Sequence, residues 1–251
     1  MFKRIQIVGF LLLLIFPALL AGQTSRAGDI ARRMDELYRA DSSRALVEME
    51  IVTPHWSRTL KMETWSEGMD KTLIRILEPK KEEGMATLRI GNEMWNYLPN
   101  TNKVMKIPPS MMMGSWMGSD FTNDDLVKEF SFIESYTFEM TSIEDSASEL
   151  LYVKCVPKEG LPIVWGHVII AVRESDKIPV WQRFYDEKGS LMREITYTDI
   201  KTIGGRTIPA TMELVPLNKE GQKTSVRFLE ASFNISPPSD TFTLRNLRKG
   251  P

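Results

Sequence analysis

From Arg44 to Phe233 apolar and polar residues alternate in one short run after another, and this period of two limits the fold more than any other feature. Val47, Met49 and Ile51 alternate with Glu48 and Glu50, and Leu60 and Met62 with Lys61 and Glu63. Ile74 and Ile76 flank Arg75, and Leu88 and Ile90 flank Arg89. Successive side chains of a strand point to opposite faces, so each run reads as a half-buried strand with one apolar and one wet face. Turn signals separate the runs at Thr53-Pro54, Glu67-Gly68, Gly84 and Pro99-Asn100. Met94 to Leu98 and Val104 to Ile107 form a tight hairpin across Pro99-Asn100-Thr101-Asn102. The alternation resumes at Tyr136, Phe138 and Met140, then at Leu151, Val153 and Cys155, and at Val168, Ile170 and Val172. In the next strand Trp181, Arg183 and Tyr185 share one face and Val180, Gln182 and Phe184 the other. Runs from Leu191 to Asp199, Thr207 to Val215 and Thr224 to Phe233 complete a series of about eleven to thirteen strands. Short steps between them predict an antiparallel meander that curls into a partial or full barrel.

The first 22 residues have the pattern of a secretory signal peptide: Lys3 and Arg4, an almost wholly apolar run from Ile7 to Leu20, then Ala21 and Gly22. The run is short for a membrane span. The mature chain is expected to start near Gly22 or Gln23 and to be soluble in the periplasm. Removing residues 1–22 leaves 30 basic against 33 acidic residues, a charge of −3. No basic run of the kind that follows a phosphate backbone is present, which argues against a nucleic-acid partner. Cys155 is the single cysteine, so no disulfide can form within the chain, and its alternation with Leu151 and Val153 suits a small buried hydrophobe. Between the signal and the first strand, Ile30, Met34, Leu37 and Tyr38 recur at helical spacing, predicting a helix from Asp29 to Ala40 whose apolar stripe lies on the sheet.

The series of strands is interrupted once, from Pro108 to Phe130. Four of the chain's 15 methionines, Met111, Met112, Met113 and Met117, fall here with Trp116, Phe121 and the glycines Gly114 and Gly118. Methionine is flexible and polarizable, so such a cluster suits a surface that adapts to ligands of variable shape, although the same residues could also plug a core. Thr122 is placed as a helix N-cap with Asp125 three residues on, and Asp124 and Asp125 occupy the first turn, where the helix dipole favours negative charge. Leu126, Val127 and Phe130 share a face of that short helix. The segment reads as a Met/Trp arm leading into a short amphipathic helix. Polar substitution in the arm is expected to lower ligand uptake at little cost in stability.

Little in the chain points to catalysis. His55 and His167 are the two histidines, and neither has a second ligand at metal-site spacing. Gly114-Ser115-Trp116-Met117-Gly118 carries its serine one place too early for a nucleophile elbow, and there is no glycine-rich phosphate loop. The adjacent pairs Asp124-Asp125 and Glu82-Glu83 are ordinary in turns and caps. No enzyme activity, cofactor or metal is expected.

Trp95, Tyr97 and Pro99 in the hairpin, followed by Gly118, Ser119, Asp120, Phe121, Thr122, Asp125 and Leu126, resemble the pattern of the LolA-like outer-membrane lipoprotein-sorting family. The match is specific over roughly thirty residues, and strand order, signal and length agree more loosely over the rest. No cavity arginine of that family's best-studied carrier aligns to a position here. The resemblance implies a mainly β fold: an unclosed antiparallel barrel of about 11 strands with helices covering a concave apolar face, formed by residues 23–251 as one lipid-binding domain. It implies a periplasmic carrier that holds the acyl chains of lipoproteins and ferries them toward the outer membrane. An inner-membrane lipoprotein-releasing ABC transporter and an outer-membrane acceptor would be its partners. A sensing module for envelope lipid or lipoprotein, or a carrier of another lipid, remains open on the same fold. The cavity and its cover are expected to use Met49, Met62, Trp95, Met111, Met112, Met113, Trp116, Met117, Phe121 and Leu126.

Overall fold

The structure is a computed structural model that describes residues 15–128, 132–144 and 146–250. The expected basic start at Lys3 and Arg4, Ile7 to Leu14 of the apolar run, and Phe130 lie outside the described residues. Thirteen strands form one antiparallel sheet. The first meander comprises β1 (Ser42–Val52), β2 (Ser57–Glu67), β3 (Lys71–Glu78), β4 (Ala86–Ile90), β5 (Glu93–Leu98) and β6 (Lys103–Lys106). The second comprises β7 (Tyr136–Thr141), β8 (Leu150–Pro157), β9 (His167–Arg173), β10 (Pro179–Tyr185), β11 (Leu191–Ile203), β12 (Arg206–Pro216) and β13 (Lys223–Phe233). Each strand pairs with its neighbour in sequence except where β1 pairs with β13 and where β6 and β7 do not meet. The chain therefore starts at the middle of the sheet, runs to one edge at β6, crosses to the opposite edge at β7 and returns to the middle. Residues 107–135 make that crossing, so the arm ties the two open edges of an unclosed barrel.

The period of two decides what each face carries. On the inner face of β1–β3, Val47, Met49, Ile51, Leu60, Met62, Ile74 and Ile76 gather into one buried cluster with Trp116 of the arm. Val153, Cys155, Val168, Ile170, Phe184, Ile195 and Leu214 form a second cluster over β8–β12. That second cluster is covered by α1 (Ile15–Tyr38), which buries Ala27, Ile30 and Leu37. Cys155 is fully buried, and the apolar surroundings push its thiol pKa up. Phe121 and Met212 touch both clusters.

Two features depart from the sequence reading. Among the described residues helix α1 already runs from Ile15, well before the expected start at Asp29. Gly22 and Gly28 cost about 1 kcal/mol each relative to alanine without interrupting it, and Pro17 falls in its first described turn, where a missing N–H is tolerated. Asp29 lies inside the helix, where it pairs with Arg32 at 2.7 Å. The second feature is the C-terminal segment, whose short helix α3 (Leu244–Leu247) places Leu247 and Phe242 on the outer face of the sheet against Leu73, Leu88 and Tyr97. Arg75 donates to the Asn246 carbonyl at 2.6 Å and fixes this cover.

Candidate functional site

The arm enters the inner face as a compact double turn. A 3₁₀ turn at Pro109–Met111 is followed by a loop that folds back on itself. The Trp116 amide donates to the Phe121 carbonyl at 2.8 Å, and the Asn123 amide to the Gly114 carbonyl at 3.0 Å. Met117 (φ 50°) and Gly118 (φ 74°) sit in succession in the left-handed region, which reverses the chain there. The result drives Trp116 inward, where it is 1% exposed and donates from its indole nitrogen to Thr87 Oγ1 at 3.0 Å. A buried tryptophan needs such a partner for its polar edge.

Three polar anchors fasten the same stretch to the sheet. Arg58 of β2 donates to the Met117 carbonyl. Thr224 of β13 exchanges hydrogen bonds with Asp120, accepting from its amide at 3.0 Å and donating to Oδ2 at 2.9 Å. Asp125 makes the third. It closes a capping box with Thr122 at the start of α2 (Asn123–Lys128), with the Thr122 amide donating to Asp125 Oδ2 at 2.8 Å and the Asp125 amide to Thr122 Oγ1 at 3.0 Å. The same carboxylate takes both prongs of the Arg193 guanidinium, at 2.9 and 2.7 Å. Burial pushes the Asp125 carboxyl up, but the Arg193 pair and the Thr122 donors outweigh it and leave the carboxyl below its ordinary range.

Beneath the arm lies a cavity of about 370 Å³. Its walls come from α1 (Ala31, Met34, Tyr38), from the inner face of β1–β4 (Val47, Met49, Met62, Ile74, Thr87), from β10–β13 (Phe184, Ile195, Tyr197, Met212, Val226, Phe228) and from Trp116, Phe121 and Leu126 above. The lining is predominantly apolar with a few polar groups, the composition of a small-ligand site. Asp35 and Arg39 of the α1 end pair at 2.5 Å on its rim, and burial raises the Asp35 carboxyl even against the Arg39 charge. Two polar groups belong to the floor. Arg193 is 7% exposed and lies against the paired rings of Trp165 and Phe184, its guanidinium carbon 4.6 and 4.3 Å from the two centroids. Gln182 is equally buried, and its side-chain amide donates to the Met34 thioether at 3.7 Å.

Of the ten residues expected at the cavity, Met49, Met62, Trp116, Phe121 and Leu126 line it. Trp95 does not: its strand parity puts it on the outer face with Leu88 and Tyr97, below the Lys106 ammonium at 5.6 Å. The neighbouring Met94 is the inward residue. Met111 and Met113 are exposed on the outside of the arm, 56% and 51%. Met112 packs beside the cavity against Met94, Ile107 and Leu126, and Met117 against the β1–β3 cluster. Trp116 is a core residue as well as a cavity wall, so replacing it is not a surface change. The sequence reading missed Arg193, Gln182, Trp165 and Tyr197. One signal was present: Arg193 shares strand parity with Ile195 and Tyr197, a cation in an apolar register.

Among the described residues no three His, Cys, Asp or Glu side chains converge in a metal-binding arrangement, and no helix is long and apolar enough to cross a membrane. A family model described as an uncharacterized protein matches residues 68–249, more than half of the chain. No curated protein matches the sequence. Three solved structures are similar over almost their whole length. A DUF1329 family protein of Desulfovibrio piger is 21% identical over 90% of this chain and 99% of that one, with a TM-score of 0.79. A domain of Vibrio parahaemolyticus named for outer membrane lipoprotein sorting is 23% identical over 90% and 100%, with a TM-score of 0.75. A LolA superfamily protein of Nitrosomonas europaea is 20% identical over 88% and 98%, with a TM-score of 0.73. At these identities the likeness shows the fold.

Proposed function

Since the chain belongs to the family of that model, an uncharacterized LolA-like group, we propose that it is a periplasmic carrier whose inner cavity takes up acyl chains of lipoproteins and delivers them toward the outer membrane. The observation that supports this reading is the apolar cavity under an arm that spans both free edges of the sheet. Acyl chains need such shelter between membranes, because each buried CH₂ is worth about 0.8 kcal/mol. A cover held to the inner face by three polar anchors but not part of the sheet can move without breaking a strand pairing. The carrier is non-enzymatic. It works with an inner-membrane lipoprotein-releasing ABC transporter as donor and an outer-membrane acceptor, and reaches the periplasm through cleavage of residues 1–22 as a signal peptide. Acyl contacts fall to Met49, Met62, Phe121 and Leu126 with Trp116 above, and Met111, Met112, Met113 and Met117 serve the moving cover.

A carrier of another, smaller lipid is the second reading, favoured by the size of the cavity. About 370 Å³ lies near the lower end of the roughly 300–1,000 Å³ of ligand sites, so several acyl chains would enter only after the arm has shifted. Mass spectrometry of lipid extracted from protein purified gently from its own envelope tests both. Triacylated lipopeptide is the expected cargo. A single-chain or two-chain lipid in its place selects the second reading, and no acylated molecule at all overturns both.

A further inference from the structure

We propose that the cavity recognises an amphiphile with an anionic head, a carboxylate or phosphate that pairs with Arg193 in place of Asp125 and so releases the arm. This rests on the carrier reading above and narrows its substrate class. The guanidinium is already a finished oxyanion receptor. Trp165 and Phe184, in contact with each other, form an aromatic corner against it, and both terminal nitrogens aim at one carboxylate, the two-pronged geometry that suits carboxylates and phosphates alike. Its Nε makes no hydrogen bond. The group that fills the receptor belongs to the one element that must move for a chain to enter.

The energetics favour exchange over simple opening. Lifting Asp125 away would leave a buried cation without a counter-ion, which is strongly destabilising. An incoming oxyanion removes that penalty, and its tail adds apolar burial along Phe184, Ile195 and Met212. A neutral amphiphile has no way to compensate Arg193. Gln182 supplies a second contact. It faces Ile195 across the β10–β11 pair while Phe184 faces Arg193, so its amide lies one diagonal from the guanidinium on the same face. Its present acceptor, a thioether, is weak, and an oxyanion or ester oxygen would replace it with a stronger one.

The test compares delipidated protein with oleate, oleoyl lysophosphatidic acid and neutral 1-monooleoylglycerol at pH 8 by calorimetry, with inorganic phosphate alone as a further titrant. The two anionic lipids are expected to bind at least about tenfold more tightly than the neutral one. Arg193→Gln should abolish that preference, the anionic lipids losing affinity while the neutral lipid, no longer facing an uncompensated cation, binds no more weakly than before. Asp125→Asn keeps an acceptor for the helix cap but removes the competing charge. It should bind the anionic lipids several-fold more tightly than the unaltered protein and gain more in Tm from them, which keeps the proposal testable if Arg193→Gln fails to fold. Equal binding of charged and neutral lipids, or an Asp125→Asn variant without the gain, overturns the proposal and leaves the carrier reading standing. Inorganic phosphate binding as tightly as the lysophosphatidic acid assigns Arg193 to a free anion and overturns it too. Failure of all three lipids to bind overturns the carrier reading itself.

Discussion

The two halves of the arm have similar composition and opposite fates. Met111 and Met113 precede Gly114 and stand in solvent, whereas Trp116, five residues beyond Met111, is buried and hydrogen-bonded. The difference is not hydrophobicity. From Trp116 to Asp125 each turn carries a polar group matched to one on the sheet: the Met117 carbonyl to Arg58, Asp120 to Thr224, Asp125 to Arg193. The stretch from Met111 to Met113 has backbone bonds only within the arm, such as the Asp124 amide to the Met112 carbonyl at 2.8 Å. Polar complementarity to the strands, more than apolar content, decides which part of a methionine-rich segment is an anchored wall and which is a free surface.

The comparison predicts a graded series. Trp116→Ala should cost most, roughly 3–5 kcal/mol as for other buried aromatics, read as a fall in the urea midpoint with unchanged slope. A loss below about 1 kcal/mol would mean that the wall re-forms without its tryptophan and that the two halves are alike. Next comes Arg193→Gln, which leaves the Asp125 carboxylate buried without its counter-charge. The expected loss is about 3 kcal/mol. The double variant Arg193→Met with Asp125→Asn should lose less than the single one, because no lone charge remains. An additive pair would show that the two residues do not act together.

Acid should loosen the same latch. Because the folded protein depresses the Asp125 pKa below its ordinary 3.8, the pair stabilises the protein above that value, and the contribution is lost as pH falls through the folded pKa. Melting temperatures from pH 6 down to 2 should therefore fall more steeply for the unaltered protein than for Asp125→Asn, with the two profiles converging below about pH 4. The smallest change is expected from Met111→Ser with Met113→Ser, within about 0.5 kcal/mol on stability. Its effect on uptake is the sharper reading. Reduced binding of an acylated ligand at unchanged stability makes the exposed half the entry surface, and unchanged binding confines function to the anchored half.

Much of this architecture was legible in the residues. The strand periods, the turn at Pro99 to Asn102, the capping box of Thr122 and Asp125 and the burial of Cys155 follow from local rules, since alternation and capping depend on neighbours a few residues apart. Even the α1 stripe of Ile30 and Leu37 could be read, although its start could not, because Gly28 and the polar residues before it carry no stop signal. Strand parity also contained the fate of Trp95, which shares a face with Tyr97 and not with Met94. The motif that marks the family drew it to the cavity instead.

The sequence by itself determined a mainly β, antiparallel fold, its one interruption and the short capped helix at the end of that interruption. Only the tertiary structure decided which face of each strand is inner, that the interruption bridges the edges β6 and β7, and that Asp125 meets Arg193 across 68 positions of chain. The reason is the range of the interactions. A cap or an alternating strand is fixed by contacts within one turn or one pleat, but an ion pair on the cavity floor exists only after twelve strand pairings have brought its two residues together.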